Sequence, residues 1–243
     1  EAVERLDEIL GQEPMKMPHS GKQPENAEVV FDHVTFTYPG TQQPALHDVS
    51  FTVRPGEVVA LVGPSGGGKT TAASLIPRFW DADQGHVLVG GTDVRELDSQ
   101  ALMRQVAFVF QDTRLFKQSL LENIRAARPD ATRNQVLAAA HAAQCDDILQ
   151  KLPGGLDTVV GAKGIYLSGG EMQRIALARA ILKDAPIVVL DEATAFADPE
   201  NELQIQKAFE ELTRGKTVLM IAHRLSTVQN ADKILVLDHG KIV

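Results

Sequence analysis

Apolar residues follow two rhythms along this chain, and the switching between them predicts its elements. Over 29–38 and 46–53 they alternate well enough for half-buried strands. Residues 58–62 (Val-Val-Ala-Leu-Val), 187–190, 217–221 and 234–237 are instead continuous apolar runs, short and bounded by turn residues, which predicts buried strands. Shorter strands are predicted at 85–89 and 106–110. A helical pattern covers 70–80, most of 119–152, 169–182 and 200–212, and is plainest in the alanine-rich stretch 132–143. Strands alternating with helices imply an α/β fold built on a mostly parallel sheet, with the helical block ahead of residue 187 as an inserted subdomain.

Ahead of this core, Val3, Leu6, Ile9 and Leu10 sit at helical spacing and Gly11 stops the pattern. Pro14, Pro18, Gly21 and Pro24 make the stretch that follows read as a linker, so 1–27 is set apart from a domain over 28–243. Arg54-Pro-Gly-Glu57 is turn chemistry between two strands.

Composition changes this picture little. With 243 residues, 44% hydrophobic and 23% charged, the chain has the make-up of a globular protein with a substantial core. A formal charge of −8 argues against a nucleic-acid partner held by a general basic field. The single cysteine, Cys145, has no internal partner for a disulfide. No apolar run approaches the roughly 18 residues that cross a bilayer. The chain lacks an initiator Met and a signal-peptide pattern, so it is expected to be a piece of a longer protein.

The chemistry is concentrated in three places. Gly63-Pro-Ser-Gly-Gly-Gly-Lys-Thr70 matches G-x-x-x-x-G-K-[ST] in full, between the 58–62 strand and a helix, which is the setting a phosphate-binding loop requires. Glycines at Gly63, Gly66, Gly67 and Gly68 let backbone N–H groups turn onto phosphate oxygens. Pro64, Ser65 and Thr71 belong to the same cradle, Lys69 neutralises β- and γ-phosphates, and Thr70 offers a hydroxyl to Mg²⁺. A plain glycine turn explains the letters but not their complete pattern in this place. A nucleoside triphosphate ligand follows. Second, Ile187-Val-Val-Leu-Asp191-Glu192 ends an apolar strand in two acids, where ligands of open α/β sheets collect. Asp191 there suits a Mg²⁺ ion or its waters, and Glu192 suits a base that polarises the attacking water. Third, Leu167-Ser168-Gly169-Gly170-Glu171 opens a helix. Ser168 with Glu171 is a capping box, but consecutive glycines in a first helical turn go beyond capping and read as a second anion site.

Taken together, the phosphate loop, LSGGE, IVVLDEAT and a histidine after a strand resemble the nucleotide-binding domain of ABC transporters, from Val29 to Val243. The resemblance implies a P-loop NTPase core with an N-terminal antiparallel β-subdomain and a helical subdomain over about 112–175. It also implies two domains paired head to tail, with Ser168, Gly169 and Gly170 of one covering ATP on the phosphate loop of the other. Tyr38 matches the aromatic that stacks on adenine. Gln111 matches the glutamine that joins the Mg²⁺ shell and links to the transmembrane part, His223 the switch histidine, and Asp198 the aspartate at the dimer interface. Glu192, His223 and Lys69 are then the catalytic residues; Thr70, Gln111 and Asp191 hold the metal. The 1–10 segment resembles the end of a last transmembrane helix in exporter-type half-transporters, which places the chain at the cytoplasmic face of a cell membrane. Thr194-Ala-Phe-Ala-Asp-Pro-Glu-Asn-Glu202 resembles exporter-fold transporters that handle iron siderophores. Ala195 and Ala197 depart from the commoner Ser and Leu of this segment, and Ala162 stands where exporters usually carry an acid. The implied function is an ATP-hydrolysing motor for transport through an attached transmembrane domain, with a second nucleotide-binding domain as partner and no nucleic acid. The alternative is a soluble ATPase of the same superfamily that acts on nucleic acid or the ribosome; the absence of a heptad-bearing coiled coil between the phosphate loop and LSGGE speaks against its DNA-repair form.

Overall fold

The computed structural model describes residues 11, 15–18, 21–161, 165–191, 199–222, 228 and 230–243. In chain order the strands and helices are β1 (Val29–Phe36), β2 (Leu46–Val53), β3 (Val58–Val62), α1 (Lys69–Leu75), β4 (Gln84–Val89), β5 (Thr92–Asp93), α2 (Ser99–Gln105) and β6 (Val106–Val109). Then come α3 (Leu120–Arg125), α4 (Arg133–Ala142), α5 (Asp146–Lys151), α6 (Gly169–Lys183), β7 (Ile187–Asp191), α7 (Pro199–Thr213), β8 (Thr217–Ile221), β9 (Lys233–Asp238) and β10 (Lys241–Ile242). The expected helical segment over 1–10 lies outside the described residues.

Two sheets form. A four-stranded antiparallel sheet has the order β2-β1-β4-β5, and a six-stranded sheet has the order β10-β9-β3-β8-β7-β6. In the larger sheet β6, β7, β8, β3 and β9 run parallel, and only β10 folds back antiparallel on β9. The α/β reading and the separate antiparallel β-subdomain both hold.

The pleat of the large sheet divides the apolar residues into two cores. Val59 and Leu61 of β3 face the antiparallel sheet and α1, whereas Ala60 faces the helical side. Val188 and Leu190 of β7 likewise point to the helices, and Ile187 and Val189 to the other side. On the first side Phe31 and Phe51 stack at 4.4 Å between facing strands. On the second, α3, α4, α5, α6 and α7 bury Ile124, Val136, Ile148, Ile175 and Ala208. Among the described residues no helix is long and apolar enough to cross a membrane.

Several boundaries and one burial expectation are corrected. The helix expected over 70–80 ends at Leu75: Ile76 keeps helical angles (φ −63°, ψ −52°), but Pro77 brings no amide to carry the ladder on, and Arg78 turns left-handed at φ 57°. The helix α2 was not legible as an apolar period, although Asp98 caps it by accepting from the Ala101 amide. The expectation that 234–237 is buried on both faces is wrong in part, because Ile234 stays 50% exposed near the sheet's edge. The second half of the expected linker lies on the domain: the Lys22 amide donates to Glu96 O at 2.9 Å and Asp98 N to Lys22 O at 3.0 Å. Gly21 permits that approach, since a Cβ there would sit 2.2 Å from Asp98 N.

Candidate nucleotide site

The parallel strands β3, β6 and β7 deliver their C-terminal ends to one cleft of about 450 Å³. The chain leaves β3 at Gly63, where φ is 140° and a Cβ would lie 2.0 Å from the backbone oxygen of Leu237. Only glycine fits there. The loop then closes onto α1 through Gly68, at φ 100° and 2.6 Å from Ala45 O for the same hypothetical Cβ. Gly68 is the N-cap of α1 and supplies no side-chain bond, so this helix start has no side-chain acceptor for its first amides.

Lys69 is 5% exposed, and its Nζ donates to Gly63 O at 2.9 Å and Pro64 O at 2.8 Å, arching the ammonium across its own loop. Thr70 Oγ1 donates to Asp191 Oδ1 at 3.3 Å, joining the first turn of α1 to the end of β7. These two residues are 121 positions apart, and only the parallel sheet brings them together. A hydroxyl and a carboxylate at one point are hard oxygen donors, and a site with few protein oxygens beside a phosphate cradle suits Mg²⁺, which keeps waters and phosphate oxygens as its remaining ligands. Gln111 lines the same cleft beyond the end of β6. Tyr38 lines it from the β-subdomain side, with its hydroxyl 3.1 Å from Thr71 Oγ1. Phe36 and Trp80 pack nearly perpendicular to the Tyr38 ring, at 4.9 and 5.5 Å between centroids, and set its position.

The cleft therefore gathers Tyr38, Ser65, Gly66, Gly68, Lys69, Thr70, Thr71, Gln111 and Asp191, with Gly63, Pro64 and Gly67 forming the turn behind them. Sequence reading missed Trp80, which no motif marks, and Ala45, which touches the cradle through its position before β2. Glu192, Asp198 and His223 lie outside the described residues.

Ser168, Gly169 and Gly170 are not walls of this cleft. They begin α6, where Ser168 Oγ accepts from the Glu171 amide at 3.2 Å and Glu171 Oε2 accepts from the Ser168 amide at 2.7 Å. Lys151 Nζ holds the other Glu171 oxygen at 2.9 Å. Burial alone would raise the Glu171 carboxyl, but Lys151 and the Ser168 amide outweigh it and hold the group below the ordinary glutamate value. One of the two glycines has a structural reason that the sequence did not reveal: a Cβ on Gly170 would meet Asn201 Cβ of α7 at 3.0 Å.

A second groove of about 410 Å³ adjoins the end of β6, lined by Phe108, Phe110, Asp112, Arg114, Phe116 and Arg179 among others. Phe110 and Phe116 are 50% and 58% exposed, an unusual display of aromatic surface. Burial lowers the Arg179 guanidinium, which stacks 5.7 Å over the Phe116 ring.

A family model described as ABC transporter matches residues 46–195. The mycobactin import ATP-binding/permease protein IrtA of Mycobacterium tuberculosis is 53% identical over 237 residues, spanning 97% of this chain and 27% of its own length. An ATP-dependent lipid A-core flippase of Methylobacillus flagellatus is 50% identical over 216 residues, spanning 88% of this chain and 37% of its own. A solved bacterial Atm1-family ABC exporter with ATP bound superposes with a TM-score of 0.89 at 37% identity, over 99% of this chain and 42% of that one. The chain spans less than half the length of each of these relatives.

Proposed function

This chain belongs to the ABC transporter family, whose domain binds and hydrolyses ATP, and from that premise we propose that it is the motor that powers movement of a substrate across a membrane through an attached transmembrane domain. The observation that carries the reading is the single cleft in which Lys69, Thr70, Gln111, Asp191 and Tyr38 meet at the ends of parallel strands. Its fold likeness is to an exporter with ATP bound. The relatives are named for transport and give no support to the alternative of an ATPase acting on nucleic acid or the ribosome.

In this reading Tyr38 stacks on the adenine ring. Lys69 exchanges the two carbonyl oxygens it now holds for oxygens of the β- and γ-phosphates. Mg²⁺, held by Thr70, Asp191 and Gln111, supplies charge neutralisation at the phosphates. Glu192 polarises the attacking water and His223 contacts the γ-phosphate, with Asp198 at the junction of two protomers. Ser168, Gly169 and Gly170 cover the triphosphate of an opposing protomer rather than their own, which accords with their position off the walls of the cleft. Catalysis is then positioning and charge stabilisation of a loose phosphoryl transition state.

The aromatic groove beside Gln111 is the face we assign to the transmembrane partner, at the cytoplasmic side of a cell membrane. Cargo is selected elsewhere: relatives named for mycobactin import and for lipid A-core flipping resemble this domain almost equally, at 53% and 50% identity. A siderophore-type cargo, suggested by the 194–202 string, is tested on the transmembrane part and not here.

The decisive experiment is Glu192→Gln. Bound ATP should be retained, phosphate release should fall by about a hundredfold or more, and a paired species of doubled mass should accumulate in light scattering. Turnover near the parental rate removes Glu192 from its role, and an unchanged mass with ATP bound removes the pairing.

A further inference from the structure

Arg174 is the largest fully buried side chain among the described residues, 1% exposed in the first half of α6. Its guanidinium joins three elements. Nη1 and Nη2 form a fork on Asp147 at 2.6 and 2.8 Å, Nη1 also donates to the backbone oxygen of Gln144 just ahead of α5, and Nη2 donates to Asn201 Oδ1 of α7 at 3.1 Å. Gly170, one turn earlier on α6, packs on the same Asn201. A buried guanidinium is a costly way to fill space, and an apolar side chain of similar volume packs as well or better. One of its nitrogens, Nε, is buried without a hydrogen bond partner among the described residues, so the arrangement is not tuned for stability alone. What a planar fork supplies and an apolar side chain does not is direction: it fixes the rotation and height of α6 against α5 and α7.

The part of α6 that this fixes is its beginning. From Arg174 the helix runs back less than two turns to Ser168, and Glu171 between them is tied to Lys151 at the end of α5. Just behind the corner, α6 is therefore tied twice to the same short helix, α5, and braced against α7 through Asn201. We infer that Arg174 is a positioning residue that sets the Ser168 corner for the nucleotide of an opposing protomer, so that its loss is felt in the partner's cleft and not in its own. The inference rests on the head-to-tail pairing proposed above.

Two substitutions separate positioning from folding. Arg174→Met keeps apolar volume, and the carboxylate it abandons is Asp147, whose side chain is 61% exposed and stays hydrated. Asn201→Ala keeps the Cβ beside Gly170 and removes the side-chain amide whose oxygen accepts from Arg174. Each variant full chain, carrying a size tag, is paired with an unaltered chain and loaded with a photoreactive ATP analogue. The label remaining on each chain is then read after rapid dilution. Label on the unaltered chain should fall about tenfold for Arg174→Met, since misplacing a covering group acts mainly on dissociation. Label on the variant chain itself should stay within about twofold. Asn201→Ala should shift the balance the same way by less. Loss on the variant chain, on both chains equally, or on neither overturns the inference. Ser168→Ala in the same mixed pair tests the underlying reading: if its loss falls on its own chain, the pairing fails and the inference with it. If Ser168→Ala acts across the pair and Arg174→Met does not, the inference alone falls.

Discussion

Two helices of this molecule start at glycine-rich turns, and their first amides are treated in opposite ways. At α1 the N-cap is Gly68, which has no side chain to accept a hydrogen bond, and the turn is wedged among the backbone oxygens of Ala45 and Leu237. At α6 the N-cap is Ser168, and a reciprocal pair of bonds with Glu171 closes the end before any ligand arrives. The first end is enclosed and uncapped; the second is capped and turned away from the cleft. An uncapped helix start inside a cleft gains most from an anion, because the anion replaces the missing cap. A capped start has a fixed shape of its own and can serve as a rigid surface offered to something else. Both ends contain a Gly-Gly pair, yet their glycines answer to different constraints: φ values of 140° and 100° at Gly63 and Gly68, and the closeness of α7 at Gly170.

The largest effect expected from breaking this contrast is at Lys69. Lys69→Ala should lower ATP affinity by on the order of a hundredfold or more, the loss of two charge-assisted bonds to phosphate, as read by equilibrium dialysis. It should leave α6 and its cap as they are. Next comes Gly63→Ala, where the added carbon meets the Leu237 oxygen at 2.0 Å in a left-handed backbone; a destabilisation of about 3 kcal/mol is expected from combined strain and overpacking, measured as a shift in the urea midpoint. The smallest is Ser168→Ala, about 1 kcal/mol by the same measurement, as for the loss of an ordinary cap. The third outcome carries a pH signature. Because the folded Glu171 carboxyl is held below its ordinary value of 4.5, its contribution is present above that pH and fades as pH falls through the lower folded value. The Ser168→Ala difference should narrow over the same acid range. Equal responses at Gly63 and Ser168 would erase the distinction between the two helix starts.

Much of this was legible in the residues. The full phosphate-loop pattern names its own contacts because its chemistry is local: a strand, a turn that only glycine can follow, a lysine and a hydroxyl. The runs at 187–191 and 217–221 read correctly because strands covered on both faces lack polar alternation. The run at 234–237 misled for the same reason, since an apolar string does not say whether both faces are covered. Helix α2 escaped because seven residues give too few turns for a period. Thr70 and Asp191 each read as Mg²⁺ partners from their own settings, but the hydrogen bond between them is not legible in the residues, because only the fold brings the two together. Arg174 and Asn201 left no local signal at all, because their meaning comes from three helices converging. Trp80 was likewise hidden, being a neighbour of Tyr38 only through the fold.

The alternating strands of the large sheet make it a bulkhead between two apolar compartments. A cavity opened behind Ala60, on the helical side, is walled off from one opened behind Leu61, so damage should stay local and substitutions on opposite sides should add with little cross-talk. Substitutions that re-pack the helical compartment away from the Ser168 corner should therefore leave the packing beneath the phosphate loop as it is.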